Sequence, residues 1–562
     1  MNVQTALVGA QGRREGSLPS VSRSALRSSL RAPDRVVSVA SLTSRVADGF
    51  ISETLARAVH AETGQSVVLV HLASSEEGIL MQDWARLHTQ LNGEFGLSQY
   101  LQKEGEVAAL RVRLSGETGE VTLLISVIEH CLRYFGCVLL HISADAPVPV
   151  LMECLIQSER SFLLLQPTTE NLYHRDLLVR ELGMNPRSDG LNLRTIICRE
   201  QGEEHANELL KQIGSSVHGI IHGCPTTGTL SAHQGWPGVN FHTDIRRLAR
   251  EIGRCRIGLA LSSGGARSLA HIGVIQVLEE NGIDFDVIAG CSMGAYIGAV
   301  WAFGYDGVTM ERLAREVEHR WGLLELIDPF ILPRQGFLRG EKVKRRLKKS
   351  IGNIHFSELV RPLRIVATGL NTLERAVFSN GEVAEAVHAS SAIPGACVPV
   401  KIDGELYLDG GIADPLPVDV LEELGIEKII AVNTIPTPAY LRCRMEMEKE
   451  LQARRRRRTS KLKQFINHYL NYFAPGNILD TILRSFNGAQ MRVADLACLQ
   501  ADVVLRPLSF DGRWHDFRRP GKYIALGRRE AEEHLGEIKA LAARKGPVYE
   551  REVTHHSLAT TA

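Results

Sequence analysis

From about residue 65 to 250 the chain alternates short β-branched or apolar runs with longer stretches of helical spacing. Residues 67–72, 109–114, 121–125, 138–142, 161–166, 193–198 and 217–221 read as strands, and 81–91, 129–135, 150–158 and 204–213 fit helices. Strands alternating with helices predict an α/β layer domain with a largely parallel sheet. A nucleotide site on such a sheet would need GxxxxGK[ST] or GxGxxG in a loop after a strand. Here the run 138–142 leads into Ser143-Ala144-Asp145-Ala146-Pro147, which has neither the lysine nor the glycines. The reading is a structural or regulatory domain, degenerate with respect to nucleotide chemistry.

A second α/β region opens near Cys255. Residues 257–261 read as a strand ending in Ser262-Ser263-Gly264-Gly265-Ala266-Arg267-Ser268, and 269–281 carry a partial helical stripe. The next strand-like run, 285–289, stops at Gly290-Cys291-Ser292-Met293-Gly294, and 295–303 is small and apolar, as a buried helix would be. Strand, tight turn and helix are the context in which GxSxG carries chemical meaning.

Ahead of these regions, residues 1–55 are rich in Ser, Arg and Val without durable period and are expected to form a flexible tail. The expected organisation continues with an accessory α/β domain over 56–250 and a catalytic domain over 251–440. A basic and aromatic extension follows over 441–545, then a second tail over 546–562. With 562 residues, 44% hydrophobic and 23% charged, the chain is long enough for more than one core. Lys plus Arg is 65 against 64 acids, a net charge of +1, so no global charge argues for nucleic acid, and none is expected as a partner. The ten cysteines form no short-spaced CxxC pair and sit among apolar neighbours, so they read as reduced core residues, with no metal expected. No apolar stretch approaches the roughly 20 residues of a membrane span, and no signal-peptide pattern opens the chain. The expectation is a cytoplasmic protein, peripheral at most on the inner membrane.

A serine hydroxyl must be exposed and activated before it attacks an ester. The sharp turn lifts Ser292 out of the sheet, while Gly290 and Gly294 keep side chains away where strand and helix approach. Attack creates an oxyanion, and the N–H groups around Gly264, Gly265 and Ala266 are candidate donors to it. A base is also required. In the order usual for α/β hydrolases, an acid and then a histidine follow the serine. His388 sits in a helical small-residue segment where a structural role is as natural, whereas His515, beside Asp516 in a polar loop, is the best histidine candidate. A different candidate is Asp409, at the end of a β-type approach and followed by Gly410 and Gly411, a rigid turn that presents its carboxylate. The plainer account of Asp409 is an Asx-turn residue capping its own backbone.

Together these segments resemble the patatin-like phospholipase family, and more closely its branch related to neuropathy target esterase and bacterial lysophospholipase-like proteins. The resemblance covers most of residues 250–440. It implies a three-layer α/β/α hydrolase domain acting on phospholipid or lysophospholipid carboxylic esters through a Ser-Asp dyad, without cofactor. On that basis Ser292 corresponds to the nucleophile, Asp409 to the base, Gly264, Gly265 and Ala266 to the oxyanion loop, and Arg267 to the loop arginine. The segments 364–369 and 389–395 look like family elements flanking the site. The family's GGGxRG has Ser263 and Ser268 at its first and last glycine positions here, and its Asn-Pro-Leu-Pro begins with Asp414. Every residue but proline keeps a backbone donor. A serine would be strained only where positive φ is required. The resemblance further implies a short bacterial member. A catalytically weak lipid-binding or scaffolding protein and a histidine-dependent carboxylesterase are the competing functions.

Arg454, Arg455, Arg456, Arg457 and Arg458 precede an aromatic stretch with Phe465, Ile466, Tyr469, Leu470, Tyr472 and Phe473. Concentrated positive charge beside such a segment suits an anionic membrane surface. An ordinary solvated charge run next to a packed helix is the alternative. A second basic run, 342–349, places Val343 and Leu347 four apart, which an amphipathic helix explains in full.

Overall fold

The computed structural model of the chain describes residues 34–42, 47–74, 79–81, 101–104, 106–116, 120–184, 192–200, 217–225, 239–318, 338–438, 440–442, 445–446, 478–509, 512 and 515–545. Among these, nine strands form a first sheet: β1 (Val36–Ser41), β2 (Val67–Ala73), β3 (Ile79–Leu80), β4 (Gln102–Glu104), β5 (Val107–Arg113), β6 (Cys137–Ile142), β7 (Arg160–Leu165), β8 (Leu193–Arg199) and β9 (Gly219–His222). Their order is β3-β5-β2-β6-β1-β7-β8-β9, parallel throughout, with β4 antiparallel on β5. The inner strands β1, β2, β6 and β7 are buried at every position. That is why β2, β6 and β7 read as largely apolar runs and not as alternating ones. Separate apolar cores cover the two faces.

The expected flexible tail over 1–55 is corrected over its described residues, 34–42 and 47–55, by β1, which lies between β6 and β7, and by the helix Asp48–Thr63; residues 1–33 lie outside the described residues. Val36, Val37 and Val39 are buried; a six-residue run among arginines and serines shows no period of its own until strands close over both faces. The expected strand at 121–125 is instead part of the helix Glu120–Tyr134. Its β-branched start belongs to a longer stripe in which Leu124, Val127, Ile128 and Cys131 are buried. The helices Thr169–Met184 and Val239–Ile252 were not anticipated, although Phe241, Ile245, Leu248, Ala249 and Ile252 form a legible apolar stripe. The expected helix at 204–213 and most of that at 81–91 lie outside the described residues, as do the basic and aromatic stretches at 454–458 and 465–473. Nine free cysteines are described, all buried but Cys397.

The second sheet contains β10 (Ile257–Leu261), β11 (Val287–Cys291), β12 (Leu363–Gly369), β13 (Arg375–Phe378), β14 (Val400–Ile402), β15 (Glu405–Asp409), β16 (Lys428–Val432) and β17 (Val503–Leu505). The order β14-β15-β12-β11-β10-β16-β17 is parallel from β12 to β17, while β13 and β15 run antiparallel to β12. Apolar clusters cover both faces, one holding Leu259, Trp301 and Ile365, the other Ala260, Val366 and Ile429. This is the expected layered α/β architecture.

The two sheets meet at their amino ends. Arg160, first in β7, pairs with Asp34, just ahead of β1, and with Glu251. Arg254 reaches Asp34 at 2.9 Å and Arg256, just before β10, reaches Glu251 at 3.5 Å. Arg250 joins Glu62 at 2.9 Å to Asp286 at 3.0 Å, and Asp286 also accepts the Ile257 N–H at 2.7 Å. Buried charges of this kind are costly unless paired, so the layer holds the two bodies in one register.

Candidate active site

Ser292 sits between β11 and the helix Met293–Phe303, with φ 53° and ψ −119°. A non-glycine residue there carries about 1–3 kcal/mol of strain and persists only where its surroundings over-determine it. The small residues of the motif make that possible. A Cβ on Gly294 would fall 2.3 Å from the Leu261 carbonyl oxygen and 2.5 Å from that of Ser262, so glycine alone lets the elbow close against the end of β10. Gly294→Ala is therefore expected to cost about 3 kcal/mol, read as a lowered Tm of the second domain.

The same close approach carries the glycine-rich loop to the serine. After β10 the chain turns at Gly264 into a short 3-10 helix, Gly265–Leu269. Its leading N–H groups, those of Gly265 and Ala266 with Gly264 before them, have no acceptor within the turn. Arg267 donates to the Gly264 carbonyl at 3.3 Å and braces the loop from within. Neither Ser263 nor Ser268 has positive φ, so the two replacements carry no backbone strain. Ser268 instead joins a hydroxyl cluster: its Oγ lies 3.0 Å from Thr434 Oγ1, which donates to the Ser263 carbonyl at 3.0 Å. Ser263 Oγ is buried without a hydrogen-bond partner. Beneath the loop, buried His271 places Nε2 3.0 Å from the Ser262 carbonyl, and burial pulls its pKa down to about 4, which keeps it neutral.

Asp409 ends β15, and a Cβ on Gly410 would meet the Val366 carbonyl oxygen at 2.2 Å. Glycine thus lets the turn pass under β12 and aim the carboxylate inward. Ser292 donates its hydroxyl to Asp409 Oδ2 at 2.7 Å, and the Gly411 N–H donates to Oδ1 at 2.8 Å. One carboxylate oxygen thus serves an Asx-type contact with its own turn, and the other accepts the Ser292 hydroxyl. Ser292 is 8% and Asp409 2% exposed. Burial pushes the Asp409 carboxyl up to about 6, opposed by the hydrogen bonds from Ser292 and Gly411. Nearby, burial and then Asp419 push buried Asp414 up to about 7, against Arg375 at 3.4 Å. The Cys291 thiol is raised by burial and by both aspartates.

No histidine among the described residues hydrogen-bonds Ser292 or Asp409. His515 lies in an exposed turn, and His388 is buried with Nε2 3.2 Å from the Arg339 carbonyl. Sequence reasoning missed Gln490, whose amide lies 1.9 Å from where a Gly411 Cβ would stand, and Thr434. Neither belongs to a motif, and only tertiary contact reveals them. It also left Ser390 without a role, although that residue lies in a segment singled out for its resemblance. A buried strand–turn–helix serine, bonded to a carboxylate of raised pKa beside unpaired backbone donors, is chemically equipped for nucleophilic acyl transfer.

Residues 259–422 match the family model for patatin-like phospholipase. An uncharacterized NTE family protein of Mycobacterium tuberculosis is 42% identical over 178 residues, covering 32% of this chain and 49% of that protein. Neuropathy target esterase of Drosophila melanogaster is 33% identical over 199 residues, 34% of this chain and 14% of its own length. A lysophospholipase of Aspergillus fumigatus is 34% identical over 194 residues, 34% and 13% respectively. The chain thus spans about half or less of the length of these relatives. The fold, the elbow and these similarities converge on one assignment: the chain carries a patatin-like phospholipase domain of the kind found in NTE family proteins.

Proposed function

We propose that the protein is a serine acyl hydrolase that cleaves carboxylic esters of phospholipids or lysophospholipids through a Ser292–Asp409 dyad. The observation that carries this reading is the 2.7 Å hydrogen bond from the elbow serine to a buried carboxylate that no histidine among the described residues hydrogen-bonds. Asp409 takes the Ser292 proton as Oγ attacks the ester carbonyl. The N–H groups of Gly264, Gly265 and Ala266 face the developing oxyanion, and the amino end of the helix Met293–Phe303 adds its positive dipole. Asp409 then protonates the departing alcohol. In the second half it removes a proton from water, which attacks the acyl-Ser292 carbonyl, and returns that proton to Ser292 Oγ as the fatty acid leaves. The test is mass spectrometry of the products from monoacyl and diacyl phospholipids, with a serine-directed phosphonate to label Ser292.

Only ionised Asp409 accepts the proton. Because burial raises its pKa to about 6, kcat/KM should fall as pH drops below about 6, a higher limb than an exposed aspartate would give. A profile flat down to pH 4.5 would remove Asp409 as the base.

The substrate class places the reaction at a lipid surface, and we assign contact with anionic headgroups to Arg454–Arg458 and the rings of Phe465–Phe473. No helix among the described residues is long and apolar enough to cross a membrane. Neutralising the five arginines should abolish sedimentation with vesicles containing anionic lipid. Undiminished binding would reject this contact.

A further inference from the structure

We infer that Ser390 is a positioning residue of the active site, clamping the backbone of Ser292 while the turn that follows it clamps the backbone of Asp409. The inference rests on the dyad reading above. Ser390 ends the helix Val383–Ser390 and is fully buried. Its hydroxyl has one proton to give, and that proton goes to the Val366 carbonyl at 2.6 Å. The short bond fixes the rotor and turns the oxygen lone pairs toward the Ser292 N–H, which donates to it at 2.8 Å. Val366 is the β12 partner of Cys291 in the parallel pair with β11, so one hydroxyl ties the two strands together where the elbow leaves the sheet. Two residues later, the Ala392 carbonyl accepts the Asp409 N–H at 2.9 Å. A stretch of three residues therefore grips the main chain of both groups, which lie 117 positions apart in sequence.

The neighbouring Ser391 shows what an unremarkable helical serine does: its hydroxyl back-bonds to the Val387 carbonyl at 2.8 Å, one turn earlier. Ser390 forgoes that local bond for two strand-to-elbow bonds. It thereby supplies part of the restraint that the positive φ of Ser292 requires. Tyr296 adds the other restraint, its N–H donating to the Ser292 carbonyl at 3.1 Å. A chemical consequence follows. The Ser292 N–H is committed to Ser390 and is therefore withdrawn from the set of donors open to an oxyanion.

The test compares Ser390→Ala, Ser390→Thr, Ser292→Ala and, as a control, Ser38→Ala. Ser38 is a buried serine of β1 with its own hydroxyl bond to the Cys154 carbonyl at 3.0 Å. On a water-soluble ester, Ser390→Ala should lower kcat about 100-fold with KM changed less than about threefold, and Ser390→Thr should recover most of the loss. Freed from its clamp, Ser292 would hold Asp409 less well, so the acid limb of kcat/KM in Ser390→Ala should move upward from its wild-type position. That movement is read even if the threonine variant does not fold. A kcat no lower than that of Ser38→Ala, or a loss with the acid limb unmoved, would overturn the clamp. If Ser292→Ala still hydrolyses the ester, the dyad reading itself fails. If that variant is inactive while Ser390→Ala matches wild type, only the clamp fails.

Discussion

Replacing Ser292 by alanine is expected to lower kcat by about 10⁶-fold, because removal of the nucleophile in a serine hydrolase leaves only binding and oxyanion stabilisation. The phosphonate should no longer attach, and acyl-chain release from phospholipid should vanish from the product spectrum. Ser292→Gly should be equally inactive yet more stable, because it removes the hydroxyl and relieves the strain of a positive φ at the same residue. A folded Ser292→Ala protein with wild-type turnover would place the chemistry elsewhere. A glycine variant less stable than the alanine variant would show that the elbow is not strained.

Asp409→Asn should lower kcat by about 10⁴-fold and, at neutral pH, raise the stability of the second domain. The sign follows from the raised pKa. The native state keeps Asp409 protonated up to about pH 6, whereas an ordinary aspartate loses its proton near 3.8. The stability that the protonated form contributes is fully present below about pH 4 and is lost as pH rises through 6. Above that, the buried ionised carboxylate costs on the order of 3 kcal/mol. Asparagine can still accept from the Gly411 N–H and can donate to Ser292 Oγ without placing a charge there. Thermal unfolding of the two proteins at pH 8 and pH 4 measures the difference, which should be large at pH 8 and small at pH 4. A variant less stable than wild type at pH 8 would show that the carboxylate is not held against its desolvation.

Much of this was legible in the chain. The strand, turn and helix around Ser292 announce themselves because the turn requires small residues at fixed offsets and the flanking runs are apolar on all sides. Asp409 was legible as a rigid turn, but its distance from Ser292 was not. That distance depends on β15 running antiparallel beside β12, with Ala367 opposite Asp409, which neither segment encodes alone. The Val36–Ser41 run shows the opposite failure. Its burial is conferred by β6 and β7, so its local sequence looks like the arginine-rich stretch around it. Ser390 belongs to a third kind: its identity was plain, and its role exists only in the coincidence of Val366 and the Ser292 N–H.

The amino-end junction of the two sheets fixes which way information can travel. Crevices at the carboxyl ends of parallel strands are where α/β sheets take ligands, and in this protein both such edges lie at the strand ends away from the junction. Strands of five to seven residues rising about 3.3 Å each set either edge roughly 20 Å from the junction. An effector at the far edge of the first sheet would be out of reach of Ser292. Its effect on turnover would pass through the junction, where Arg256 meets Glu251, Arg250 meets Asp286 and Arg247 meets Asp284, so that junction is where coupling between the two halves is to be sought.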